Sequence, residues 1–145
     1  MSAVLAPPRH YAISADEYLR MGEAGVFAPE TRLELIEGEI IEMAPIGSPH
    51  AGAVNATAEA LWPLVTGRAI VAVRNPVIVG EKSVPQPDIA VLKARADRYS
   101  ASHPTVADVL LVIEVADSTL EFADDEISIQ LLPNALIRPS TVCRA

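Results

Sequence analysis

Two carboxylates lie in apolar segments that are typical of buried strands. Asp88 follows Pro87 and opens an apolar run, and Glu114 lies inside a second run, residues 108–117. Both runs are rich in Val, Ile and Leu, which predicts short strands. An ionised carboxylate in such a place is costly unless something compensates its charge. The pair therefore indicates either a shared metal ion or two strand-end carboxylates with a structural role.

The chemistry of a metal site follows from the type of ligand. Carboxylates on strands suit hard cations, and Mg²⁺ is commonly held by one or two carboxylates together with water and substrate phosphates. Such an ion polarises a phosphoryl group and lowers the pKa of a bound water. The spacing of Asp88 and Glu114 is not specific by itself, because many domains contain such a pair by chance.

Composition limits the class of protein. The 145 residues form one domain by size, and the net charge of −8 argues against a surface that coats nucleic acid. An acidic cleft that works on phosphodiesters through bound cations remains compatible with this charge. The single cysteine, Cys143, forms no intrachain disulfide, and no secretory signal or membrane span is evident. We expect a soluble cytoplasmic domain.

The first half of the chain predicts a helix followed by a hairpin. Ser14 and Glu17 form a capping-box pattern that starts a short helix to about residue 21. Residues 32–43 alternate between apolar and acidic side chains around a turn at residues 37–38, which predicts a β-hairpin.

Three polar residues in and after this hairpin have two interpretations each. Glu34 and Glu39 belong either to a solvated face or to a nearby site. Ser48 and Pro49 start a helix as N-cap and first helical residue, which puts His50 in the first turn. His50 is either an ordinary exposed side chain or a functional residue that contacts a phosphate, as in nucleic acid, or positions a water.

Prolines interrupt the pattern further along the chain. Pro63 is expected to kink or end the second helix. Residues 68–79 predict one strand bent at residues 75–76, or two short strands. From Ile127 onward the sequence has no clean period and is broken twice by proline.

Four motifs occur together in one order: Leu33–Ile40, Met43–Pro45 with His50, Pro87–Val91 and Val112–Thr119. Together they resemble the Uma-type restriction-endonuclease family of the PD-(D/E)xK nuclease superfamily. The resemblance covers roughly residues 10–126 and implies an α/β fold, with a restriction-endonuclease-like mixed central sheet flanked by helices.

The resemblance also implies an activity. It implies hydrolysis of phosphodiester bonds in nucleic acid, with DNA as the expected substrate. Asp88 and Glu114 would hold Mg²⁺ or Mn²⁺, and Glu39 or Glu34 would be an additional acidic member of the site.

This chain departs from the superfamily pattern at the lysine. The superfamily places a lysine two residues after the second acid, where this chain has Ala116. The Uma-type pattern takes its lysine from the next helix, and if Asp124 starts that pattern, Ser128 occupies the lysine position. The chain contains only Lys82 and Lys93, neither of which fits the motif.

We therefore expect a domain over residues 1–126 and an atypical tail over residues 127–145. Our hypothesis is that shortening or a frameshift removed or altered the C-terminal helix and strand. An uncovered sheet edge would then favour a homodimer. The alternatives to a metal-dependent endonuclease are a non-catalytic interaction or scaffold domain, and a nuclease fold that binds nucleic acid without cutting it. The acidic balance disfavours the last.

Overall fold

The computed structural model describes residues 10–115 and the backbone of residues 127–131. Within these residues two α-helices and a short 3-10 helix (Val106–Asp108) accompany a two-stranded and a four-stranded sheet, so the predicted α/β class is confirmed. In chain order the elements are α1 (Ala15–Glu23), β1 (Leu33–Ile36), β2 (Glu39–Glu42), α2 (Ser48–Val65), β3 (Ala69–Val73), β4 (Ile89–Lys93), β5 (Val109–Val115) and β6 (Ile127–Leu131).

Helix α1 begins at the predicted capping box. The Glu17 N–H donates to the Ser14 hydroxyl at 3.2 Å, and the Ser14 N–H donates to the Glu17 carboxylate at 2.8 Å. The two bonds satisfy donors that a helix start leaves without intrahelical partners. Tyr18 is buried with Leu35 of the hairpin, and this contact holds α1 against β1.

Strands β1 and β2 form the predicted hairpin, with Ile36 paired to Glu39 beside the turn. Glu37 and Gly38 have φ values of 51° and 87°. Positive values at both positions are typical of the two-residue turns that match strand twist. A Cβ at Gly38 would lie 2.8 Å from the Ala12 Cβ, so the turn packs closely against the segment before α1.

The larger sheet has the order β3-β4-β5-β6, and all its ladders are antiparallel. The sequence predicted a mixed sheet, and this detail is corrected for the described strands. Parallel neighbours need a crossover, usually through a helix. The connections at residues 74–88 and 94–108 contain no α-helix, so each strand returns antiparallel to its neighbour.

Helix α2 covers one face of this sheet. Val54 and Ala58 pack on Ile89 of β4 and Ile113 of β5. The opposite face carries a second apolar cluster that includes Leu92. Strands β4 and β5 are therefore apolar on both faces, which explains why their sequences are nearly continuous hydrophobic runs.

The ends of α2 differ from the sequence prediction. Gly47 is the N-cap, so Ser48 and Pro49 are the first two helical residues. The helix continues two residues beyond Pro63, to Val65, because a proline in the last turn removes only one late hydrogen bond. Neither helix of the described part is long and apolar enough to cross a membrane.

The segment at residues 68–79 contains one strand and a bent continuation. Strand β3 stops at Val73, before Asn75 and Pro76, and Ile78 and Val79 make isolated bridges only. The break follows from proline, which cannot donate to a ladder.

Strand β6 lies in the predicted tail. It pairs with β5 from Ile127 opposite Val115 to Leu131 opposite Leu111. Ser118, Thr119 and the acidic stretch that follows them lie outside the described residues. The domain boundary at residue 126 stays a prediction.

Candidate active site

Asp88 and Glu114 lie next to each other at one end of the four-stranded sheet. Asp88 directly precedes β4, and Glu114 is the penultimate residue of β5. The strands are antiparallel with Ile89 opposite Ile113, so the next positions outward are neighbours. The Asp88 N–H donates to Glu114 Oε2 at 3.4 Å. The structure thus brings the two predicted carboxylates together.

Asp88 is buried, and its carboxylate accepts three hydrogen bonds. Oδ2 accepts from the Val115 N–H at 3.0 Å. Oδ1 accepts from His50 Nε2 at 3.0 Å and from Arg74 Nε at 3.4 Å. Because a carboxylate oxygen is the acceptor in this contact, we assign His50 the tautomer with its proton on Nε2. The three donors replace the water that a buried carboxylate loses.

Arg74 holds Asp88 from the side of β3. Its φ is 54°, and its N–H points at the carbonyl oxygens of Pro87 and Asp88, both 3.1 Å away. Within the described part of the chain, its Nη2 is buried without a hydrogen-bond partner. The guanidinium therefore serves Asp88 mainly through charge and one long hydrogen bond.

Glu114 has a different environment from Asp88. Desolvation raises its pKa to about 7, and the negative charges of Asp88 and Glu34 act in the same direction. The Asp88 N–H lowers the pKa in part. The residue as a whole is open to solvent, while its carboxyl group is partly enclosed by the cleft. A carboxyl group that titrates near neutral pH in a cleft is typical of a functional site.

Glu34 of β1 is a third carboxylate of the cleft, and only 9% of the residue is exposed. Burial raises its pKa, and the charge of Asp88 adds to the effect. The Gln86 backbone N–H and the Arg32 guanidinium lower it. The Gln86 side chain also donates to the Leu33 carbonyl at 2.9 Å, which joins the hairpin to the segment before Asp88.

The three carboxylates line one cleft of about 440 Å³, between the hairpin, the start of α2 and residues 85–88. Arg32 and His50 are the basic side chains of its lining. The cleft thus combines negative charge at Asp88 and Glu114 with two groups that can contact a phosphate.

Four of the five predicted site residues meet in this cleft: Glu34, His50, Asp88 and Glu114. Glu39 does not, because it pairs with Ile36 beside the hairpin turn and is exposed. Among the described residues, no group of three or more His, Cys, Asp or Glu side chains is arranged to hold a metal ion. Any ion would rely on fewer protein ligands.

Sequence reasoning did not identify Arg32, Arg74 or Gln86. Arg32 is the first residue of the alternating segment at residues 32–43, and a charge at that end is an available but unspecific signal. Arg74 reaches Asp88 from another segment of the chain, and Gln86 bonds to the distant Leu33 carbonyl, and neither contact leaves a local pattern in the sequence.

Comparison with known proteins identifies the family. Residues 15–131 match the family described as "Uma2: Putative restriction endonuclease". The match covers most of the chain, so the chain belongs to this family, and the predicted resemblance is confirmed. It includes every residue of the cleft and extends through β6. No curated protein and no solved structure matches the chain.

Membership assigns a class of function. The family description indicates a nuclease, and therefore nucleic acid as the class of substrate. Restriction-endonuclease-like families generally use divalent metal ions.

Proposed function

We propose that this chain is a divalent-metal-dependent endonuclease domain that hydrolyses phosphodiester bonds, with DNA as its substrate. One observation carries the proposal: Asp88 and Glu114 are neighbours, joined by a hydrogen bond from the Asp88 N–H to Glu114 Oε2, and both line one cleft. The ionised form of Glu114 is destabilised there, since desolvation and neighbouring negative charges raise its pKa to about 7. A bound cation would stabilise this ionised form.

The residues of the cleft fit Mg²⁺ or Mn²⁺. Two carboxylates are enough, because Mg²⁺ commonly takes its other ligands from water and from substrate phosphates. When bound, the ion would polarise the scissile phosphate and promote ionisation of a water. We assign Asp88 and Glu114 as its protein ligands.

The surrounding residues orient these ligands. His50, Arg74 and the Val115 N–H fix the Asp88 carboxylate through their hydrogen bonds. His50 also lines the cleft, which supports the prediction that it contacts the nucleic acid.

Glu34 is the stronger candidate for the additional acid. Its position in the cleft, together with a pKa raised by burial and by Asp88, supports this choice. Glu39 lies beside the hairpin turn and does not line the cleft.

We expect cleavage by this chain to be slow. Lys82 and Lys93 do not line the cleft, so no lysine of the described part can stabilise the transition state there. Ala116, which occupies the superfamily lysine position, lies outside the described residues.

A non-catalytic interaction or scaffold domain is the second candidate. The observation in its favour is that Asp88 is already held by three donors from the chain itself, as a structural carboxylate would be. In that case the cleft retains the geometry of a nuclease without its reaction.

Metal binding is tested by thermal unfolding with Mg²⁺ or Mn²⁺. We expect either ion to raise the melting temperature, because a ligand that binds only the folded state stabilises it. Asp88→Asn should abolish the increase. Asp16→Asn is the matched control, since Asp16 is an exposed residue of α1 outside the cleft. An identical metal response in both variants would contradict a site at Asp88.

Cleavage is tested by nicking of supercoiled plasmid with Mn²⁺. We expect slow nicking by the unmodified chain and a rate lower by at least ~10-fold for Glu114→Ala. Glu59→Ala removes an exposed carboxylate of α2 and should leave the rate unchanged. Metal binding without any nicking would favour the scaffold alternative.

The homodimer and the cytoplasmic location are also proposals. Trp62 and Leu64 near the end of α2 are exposed, which supports self-association. Size-exclusion chromatography tests the dimer, and a clean monomer at high concentration would contradict it.

A further inference from the structure

The cleft has an excess of negative charge where a phosphodiester must enter. Glu34, Asp88 and Glu114 all line it, and a bound divalent ion offsets only part of their charge. A nucleic-acid phosphate therefore needs a cation on the cleft wall. Neither lysine of the chain is in the lining, so the cation must come from another residue.

The other two basic residues near the carboxylates each use one nitrogen to bind Asp88. His50 Nε2 and Arg74 Nε both bind Oδ1 of Asp88. Arg74 also lies behind Asp88 and does not line the cleft. Of the arginines and lysines in the described part of the chain, only Arg32 lines the cleft.

The backbone and side chain of Arg32 are fixed at the base of the hairpin. The Met43 N–H donates to the Arg32 carbonyl at 2.9 Å, and Arg32 Nη1 donates to the Ala44 carbonyl at 3.2 Å. The guanidinium is close enough to Glu34 to lower the pKa of that carboxyl. In the described part of the chain, the bond to the Ala44 carbonyl is the single hydrogen bond of the Arg32 side chain. Its other N–H groups are therefore available to a ligand.

We propose that Arg32 binds a phosphate of the nucleic-acid substrate and supplies the positive charge that no lysine supplies in the cleft. This inference rests on the proposed nuclease function. A guanidinium suits the role because it is a cation whose planar N–H groups match two phosphate oxygens at once.

A purely structural role is the competing explanation. Arg32 would then act only by offsetting the charge of Glu34, and its loss would change stability without changing phosphate binding. The two explanations differ when Glu34 carries no charge. In a Glu34→Gln background, a structural Arg32 has nothing to offset, whereas a phosphate-binding Arg32 keeps its effect.

The experiment measures binding of a fluorescently labelled double-stranded oligonucleotide by anisotropy, with Mg²⁺ and over a series of salt concentrations. We expect Arg32→Gln to weaken binding about tenfold, as loss of a charged hydrogen bond predicts. The slope of log affinity against log salt should fall by about 1, the value for one phosphate contact. The loss should persist in Glu34→Gln, and Arg32→Lys should recover part of it.

Arg20→Gln is the matched control, because Arg20 is an exposed arginine of α1 outside the cleft. Circular dichroism verifies that each variant is folded. Unchanged affinity and salt slope in Arg32→Gln would overturn this inference, while the metal-dependent melting shift would still support the nuclease. A lack of oligonucleotide binding by the unmodified chain would overturn both the inference and the proposed function.

Discussion

Glu17 and Glu114 have the same side chain but lie in opposite environments. Glu17, at the start of α1, accepts hydrogen bonds from the Tyr11 hydroxyl at 2.6 Å, the Ser14 N–H at 2.8 Å and the Ser14 hydroxyl at 2.7 Å. These bonds, that from Tyr11 first, lower its pKa to about 2. Among the described residues, Glu114 receives one N–H at 3.4 Å, and desolvation raises its pKa to about 7.

This difference in hydrogen bonding and pKa distinguishes Glu17, a structural carboxylate, from Glu114, a candidate metal ligand. The chain supplies Glu17 with donors because its charge holds the helix start. It leaves Glu114 desolvated beside Asp88 and Glu34, which costs stability. Such a cost is expected where a bound ion or a substrate uses the charge.

The largest effect is expected at Asp88, whose carboxylate organises the cleft. Asp88→Ala should lower the free energy of unfolding by about 3 kcal/mol, because buried donors at His50, Arg74 and Val115 lose their acceptor. Urea denaturation measures the change. Asp16→Ala, at an exposed position, should cost less than about 0.5 kcal/mol. Equal effects of the two substitutions would show that the bonds to Asp88 add nothing.

The second-largest effect is expected at the capping box that surrounds Glu17. Ser14→Ala removes the hydroxyl of the capping box and should lower the free energy of unfolding by about 1 kcal/mol. Ser48→Ala is the matched control, because Ser48 is the first residue of α2 and this helix start has no side-chain capping hydrogen bond. The same denaturation experiment applies, and a neutral result at Ser14 would mean that Glu17 alone holds the helix start.

The pH dependence of Glu114 should be visible as a difference between variants. Its folded pKa of about 7 lies above its ordinary value of 4.5, so the folded state binds the proton more tightly. Stability from this group is present below pH 4.5 and is lost as the pH rises towards 7. Glu114→Gln should flatten the melting-temperature profile in this window, without metal present. Profiles that stay parallel would contradict the raised pKa, and Glu59→Gln provides the surface control.

The smallest effect is expected at Glu17, because it is exposed to water. Its folded pKa of about 2 lies below 4.5, so its contribution is present above pH 4.5 and is lost as the pH falls towards 2. Acid unfolding followed by circular dichroism should show a shallower loss for Glu17→Gln. A steeper loss in the variant would reverse the assigned sign.

Local patterns predicted the elements that carry the site. Ser14 and Glu17 predicted the start of α1, and the alternation around Glu37 and Gly38 predicted the hairpin. The apolar runs after Asp88 and around Glu114 predicted two strands, and these strands pair. These features follow from neighbours in the chain, so a single sequence contains them.

Long-range register decided the rest. Alternation makes Glu34 and Glu39 equivalent, but Glu34 pairs with Ile41 and Glu39 pairs with Ile36 beside the turn. Only the placement of the hairpin on the segment before Asp88 distinguishes them. The mixed sheet was predicted from the resemblance, whereas the direction of each strand depends on connections whose course a pattern does not give.

The hairpin turn has a consequence for motion. The Gly38 carbonyl accepts from the Ile13 N–H at 2.9 Å, and the Gly38 N–H donates to the Lys82 carbonyl at 2.8 Å. The Val84 N–H donates to the Leu35 carbonyl at 2.7 Å. The wall that carries Arg32 and Glu34 is thus bonded on both sides and cannot swing as a free flap. Its amides should exchange with deuterium together with those of Ile13 and Val84, as one cooperative opening unit.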